Sequence, residues 1–262
     1  MTDRRRRQKE QRAARRETEK KQEARKELGR RLGTALVFGL VVVAIFAVGA
    51  FFGGDEDQLP GGYEGFRNQP TACGAEQPDP EPVLSFDAPE PQEDVTEETT
   101  VTAILKTSCG DIAIELDPVG HPVTTNSFVF LAREGFFDGQ VFHRIVADFR
   151  VFSGDPAANG SGGPGYQIAD EFPAADFVYT AGMVVMDNVG KGTTGSEFFI
   201  VIGDAATTLN PQFNLLGEVM SGQETLDLIA DVETAVQPGS REQSLPLETV
   251  YIESVTVEVT GS

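Results

Sequence analysis

Twenty consecutive residues, Gly33 to Phe52, carry no charge and are rich in Val, Ala, Leu and Phe. As a helix rising about 1.5 Å per residue, such a run reaches roughly 30 Å, the thickness of a bilayer's hydrocarbon core. Charge divides sharply around it. Of 21 Lys and Arg residues, 14 fall in the first 31 positions beside six acids, and the remainder of the chain holds 7 bases against 35 acids. The net charge of -20 therefore hides a basic head near +8 and an acidic body near -28. Basic residues at one end of a span orient that end to the cytoplasm. Residues 1–32 read as a basic cytoplasmic segment, 33–52 as a single transmembrane helix, and the acidic body as extracytoplasmic. A cleaved secretory signal ending near Val48-Gly49-Ala50 is the alternative, but signals have short basic starts and apolar cores of about 7 to 15 residues, and both are exceeded here. The basic head also suits anionic lipid or nucleic acid, although a topology determinant is the simpler reading and no nucleic acid is expected for the globular part.

Residues 53–98 read as an acidic, Pro-rich tether. Seven of the 15 prolines and 13 acids fall here with Arg67 as the one base, and the apolar residues show no sustained period. With little to bury against the entropy of ordering, most of this stretch is expected to be disordered. The two cysteines, Cys73 in the tether and Cys109 in a turn, both fall on the outer side, where disulfides persist. Either they are bonded, pinning the tether's end to the domain, or they are two free thiols. The only histidines are His121 and His143, so no metal site is expected.

Residues 99–262 suffice for one domain. Alternation marks strands at Val101 to Lys106, at Asp111 to Leu116 with Ile112, Ile114 and Leu116 on one face, and at Val250 to Val259. Pro122 with Phe128, Leu131, Ala132 and a stop at Gly135 reads as a helix, and Glu224 with Leu226, Ile229 and Ala230 as a second. Strands at both ends, short Gly-punctuated strands between and two helices predict a mainly β fold. The specific expectation is a closed antiparallel β-barrel of about eight strands capped by two helices. Gly190-Lys191-Gly192-Thr193-Thr194-Gly195 matches a dinucleotide fingerprint only by spelling, because an apolar strand rather than a helix follows it.

Two stretches carry the chemistry. Phe142-His143-Arg144 is followed by Phe149 and by Gly154-Asp155-Pro156; further on, Met186-Asp187-Asn188 precedes Gly195-Ser196-Glu197-Phe198-Phe199-Ile200. In this order and spacing the chain resembles the cyclophilins, the barrel family of peptidyl-prolyl isomerases, from about Thr99 to the C-terminus. The resemblance implies isomerisation of prolyl peptide bonds without a cofactor. It makes Arg144 the catalytic residue, and Phe149, Phe199 and Leu209 the apolar walls for the proline ring. Asn188 matches a position whose backbone holds the substrate, and Phe152, Glu197 and Phe213 occupy further substrate-contacting positions. Phe142 and Phe198 are expected in the core by alternation, and His143 is expected to be structural because rotation about an amide needs no base.

The departures from the family pattern cluster at the site. Phe152 stands where the family usually has a glutamine that orients the arginine, and Arg150 where it has Met. Glu197 replaces a glutamine, Asp187 a small residue and Phe213 a histidine. Two functions therefore remain: an anchored isomerase acting on proline-containing polypeptides of exported proteins at the outer face of the membrane, or a catalytically weak cyclophilin-like module that binds peptides or a protein.

Overall fold

In a computed structural model that describes residues 62–261, the alternation read from the sequence becomes a curled sheet. Strands β1 (Thr100–Thr107) and β2 (Gly110–Leu116) form a hairpin in which Thr107 faces Gly110 across the turn Ser108-Cys109. Their alternate residues Val101, Ala103, Leu105, Ile112, Ile114 and Leu116 are buried. The other six strands of this sheet are β3 (Arg144–Val146), β4 (Arg150–Ser153), β5 (Met183–Met186), β6 (Phe198–Val201), β7 (Leu215–Ser221) and β10 (Ile252–Thr260). The order is β10-β1-β2-β7-β5-β6-β4-β3, antiparallel throughout; β8 (Thr234–Val236) and β9 (Gln243–Pro246) form a separate hairpin.

This sheet does not close, so the expected closed barrel is corrected to a half-barrel. Its edges are β10 and β3, and across the gap only an isolated antiparallel bridge, Val141↔Tyr251, joins the chain just ahead of both strands. The reason is local: β3 has three residues, and the element packed beside it is β9 rather than a continuation of β10.

Helix α2 (Pro122–Arg133) begins on its proline and stops before Gly135, whose φ of +70° suits a residue without a side chain. Helix α3 (Gln223–Ala230) buries Leu226 and Ile229. A short α1 (Gly62–Arg67), which no periodicity announced, buries Phe66. Among the described residues no helix is long and apolar enough to cross a membrane. The expected basic cytoplasmic segment 1–32, the expected transmembrane helix 33–52 and the start of the expected tether, 53–61, lie outside the described residues.

The expectation of disorder fails for residues 62–98, which are strapped to the domain. Thr71 bridges Thr249, with Ala72 N–H donating to the Thr249 carbonyl at 2.9 Å and Thr249 N–H to Pro70 at 2.8 Å. Phe86 packs edge-on to Phe130 of α2 at 5.0 Å, and Arg133 grips Asp94 through two hydrogen bonds of 2.8 and 2.6 Å. A strap that sets Phe66 and Ala72, buried, and Leu84 and Phe86, partly buried, singly against an existing surface has no period to detect. A disulfide joins Cys73 to Cys109, 36 positions apart in sequence, with Cα atoms 5.2 Å apart. On the chain-entropy account, closing a loop of this size contributes about 4 kcal/mol, less any strain.

Each face of the sheet carries its own apolar cluster. Ile145, Val151, Phe198, Ile200, Val184 and Met186 point to the main core, together with Phe142. The intervening residues Phe152, Phe199, Val201 and Val185 point the other way and form a second cluster with Tyr179 and Ala206. The period of two thus puts the sequence-predicted site on the outer face of β3, β4 and β6.

Candidate active site

Strand register sets the first row of the site. Arg144 pairs with Phe152, and Phe152 with Phe199, so a guanidinium and two rings stand side by side on one face. The turn beyond β4 is held by Gly154, at φ +85°, where a side chain would collide with the Ser196 carbonyl, and by the Ser196 hydroxyl donating to the Gly154 carbonyl at 2.7 Å. The buried Asp155 carboxylate accepts N–H groups of Ala157, Asn159 and Gly160 at 2.8, 2.8 and 2.6 Å, which fixes the loop that follows.

The Arg144 guanidinium lies 4.4 Å from the Phe152 ring centre. Its Nε and Nη2 donate to the two carboxylate oxygens of Glu242, each at 2.8 Å. Glu242 comes from the connection between β8 and β9, 98 residues away in sequence. This fork, opposed in part by burial, raises the Arg144 pKa above its usual value, and the same contact holds the Glu242 carboxyl below the usual glutamate range.

The three expected wall residues come together with Phe213: Phe149, Leu209 and Phe213 pack against the cluster that holds the buried Phe199, with Phe213 edge-on to Phe199 at 5.6 Å. Phe152, expected to touch substrate, is fully buried beneath the two arginines and 5.5 Å from Phe199. Tyr179 had no signal in the sequence, yet it pins the Phe213 loop. Its hydroxyl donates to the Phe213 carbonyl at 2.7 Å and accepts the Phe213 N–H at 3.1 Å, while burial pushes its pKa up to about 12.

Arg150, read from the sequence as a departure standing where the family has Met, lies among the wall rings. It shares a face of β4 with Phe152, and its guanidinium lies 4.5, 4.6 and 4.6 Å from the ring centres of Phe149, Phe152 and Phe199. It thereby fills the space between the walls. Its Nε and Nη1 are buried with no hydrogen-bond partner among the described residues, and desolvation pulls its pKa below the usual arginine value. Alternation along Arg150-Val151-Phe152 was the available signal, since it puts Arg150 and Arg144 on one face.

Asn188 and Glu197 sit apart from the rings, lining a cavity of about 510 Å³ with Asp187 and the loop Gly160 to Gln167. Asn188 uses its side chain on the protein, donating to the Gln212 carbonyl at 2.8 Å and accepting the Gly190 N–H at 3.1 Å. Glu197 Oε1 lies 3.1 Å from Nε2 of the buried His143, which fits a structural role for that ring.

Burial, and then the charge of Glu197, push the Asp187 carboxyl up to about 6. A carboxyl whose folded pKa exceeds its unfolded value keeps more protons in the native state, so its contribution to stability falls as pH rises from about 4 to about 6. Asp187→Asn removes this loss. The variant is expected to melt above wild type at about pH 8 and to match it at about pH 4, as measured by thermal scans at the two values. A variant that melts lower at the higher pH would show that the Asp187 charge is net favourable beside Arg144 and Arg150.

Comparison with known proteins gives the family of the domain. A family model described as cyclophilin type peptidyl-prolyl cis-trans isomerase matches residues 102–257. A curated relative, peptidyl-prolyl cis-trans isomerase B of Streptomyces anulatus, is 39% identical over 174 residues, covering 60% of this chain and 95% of that protein. Peptidyl-prolyl cis-trans isomerase A of Mycobacterium tuberculosis is 37% identical over 174 residues, 60% of this chain and 92% of that protein. Among solved structures, a Cryptosporidium parvum cyclophilin type isomerase superposes with a TM-score of 0.54 at 25% identity, covering 61% of this chain and 98% of its own.

Proposed function

Because the chain belongs to the cyclophilin type peptidyl-prolyl cis-trans isomerase family, we propose that it accelerates rotation about prolyl bonds at the outer face of a membrane, with Arg144 as the catalytic residue and exported polypeptides as its clients. Amide resonance sets a rotation barrier of about 18–20 kcal/mol, and in the twisted state the nitrogen lone pair localises. A held cation that donates a hydrogen bond to that nitrogen favours the twisted form over either planar one. The observation that carries the reading is the Arg144 guanidinium, stacked on Phe152 beside the apolar walls. Nη1 has no protein partner among the described residues. No proton moves and no nucleophile is needed, so one arginine among rings is a sufficient outfit.

The location rests on the basic head before the uncharged run 33–52 and on the Cys73–Cys109 bond, which suits an oxidising compartment. Outside the cell slow prolyl exchange limits folding, which gives a tethered isomerase its use. Protease added to intact cells is expected to degrade the acidic body while the N-terminal segment stays protected. Survival of the body until lysis reverses the orientation, and a mature N-terminus near Phe51 replaces the anchor with a cleaved signal.

A second reading, a weakly catalytic or inactive peptide-binding module, draws on Arg150, whose guanidinium lies where an apolar ring would enter. Protease-coupled isomerisation of prolyl peptides by the wild-type protein decides between them. Turnover supports the enzyme; peptide binding without turnover supports the module.

A further inference from the structure

We infer that Glu242 is a positioning residue for Arg144, which makes the β8–β9 hairpin part of the catalytic apparatus; this rests on the isomerase reading above. An arginine on a three-residue edge strand has a long, freely rotating side chain, and catalysis by a fixed donor needs it held. Phe152, directly across the strand pair, supplies a flat surface but no acceptor. The acceptor comes from Glu242, whose two oxygens meet Nε and Nη2 in a planar fork at 2.8 Å each. Ring and fork together fix both the plane of the guanidinium and its rotation within that plane. Nη1 is left without a protein partner among the described residues, so the substrate's nitrogen meets a donor already oriented.

The backbone that carries the carboxylate is itself held. Glu242 N–H donates to the Ser240 hydroxyl at 3.0 Å, its carbonyl accepts Gln237 N–H at 2.8 Å, and β9 is tied down by Gln69 donating to the Pro246 carbonyl at 3.0 Å. The side chains are 31% and 37% exposed, and the contact is two-pronged, the geometry in which Arg–carboxylate pairs are most directional.

The test measures kcat and KM separately for wild type, Arg144→Ala, Glu242→Gln and Glu242→Ala on one prolyl peptide, with and without added formate. Glu242→Gln keeps the side chain's size and decides the matter if the alanine variant unfolds. The expected result is a kcat for Glu242→Gln lowered by about threefold or more with KM within about twofold. Formate should restore part of the kcat of Glu242→Ala and none of that of Arg144→Ala, because only the former leaves a vacant fork. A Glu242→Gln enzyme within threefold of wild type in kcat, or faster, overturns the inference while Arg144→Ala remains impaired. Absence of wild-type turnover overturns the isomerase reading instead.

Discussion

Arg144→Ala is expected to lower kcat/KM by about a hundredfold, corresponding to ~2.7 kcal/mol of barrier, while the fold is retained. That figure is the lower end of what removing a single preorganised donor costs where charge develops in the transition state. The main core is untouched by the substitution, since the neighbouring Ile145 carries the strand's burial; what is removed is the Glu242 fork and the guanidinium over the Phe152 ring. Arg144→Lys should recover little, because an ammonium offers no planar edge to share between the Glu242 fork and a substrate nitrogen. Protease-coupled kinetics, with circular dichroism to check folding, measure both variants. An Arg144→Ala protein as active as wild type would remove Arg144 from the reaction and with it the assignment of this face as the site.

Much of this face was legible because it is written in short-range pattern. Phe142, Arg144 and Phe149 sit within one hairpin, and Phe198 and Phe199 within one strand, so a period of two already separated core from site. The helix from Pro122 and the strand bearing Ile112 and Ile114 carried equally local signals. The half-barrel's open edge did not, since closure depends on which distant strand reaches β3, and β9 arrived there first.

What stayed hidden depends on long-range or irregular contacts. Glu242 lies 98 residues from the arginine it grips, in a loop whose Pro238, Gly239 and Ser240 read as an ordinary turn. The strap 62–98 looked too polar to fold because its few apolar residues act one at a time against a core built by others. Phe152 read as a loss of polar function. In the structure its ring carries guanidinium groups, Arg144 at 4.4 Å and Arg150 at 4.6 Å, so the change from a hydrogen-bonding to a stacking residue altered how the site holds its cations.

The second large effect concerns Arg150, and its sign is a gain. A guanidinium stacked against Phe149, Phe152 and Phe199 occupies the volume between the walls, and a proline ring cannot share it. With the proline ring seated between these walls, as proposed, substrate would bind only those molecules in which Arg150 has swung outward, and apparent affinity would fall by that fraction. Stacking a cation on a ring contributes about 0.5–2 kcal/mol. The two buried N–H groups without partners, Nε and Nη1, work against it. If the closed form keeps a net preference of only ~1.4 kcal/mol, about one molecule in ten is open. Methionine in the same place is uncharged and flexible, and yields to an incoming ring without leaving a charge to resolvate. Arg150→Met is accordingly expected to lower KM about tenfold with kcat within about twofold, measured in the same peptide assay as Arg144→Ala. An unchanged KM would mean that Arg150 leaves the walls at no cost. A higher one would mean that substrates are recognised by the guanidinium itself, with its unpartnered donors serving a carbonyl or carboxylate of the bound chain.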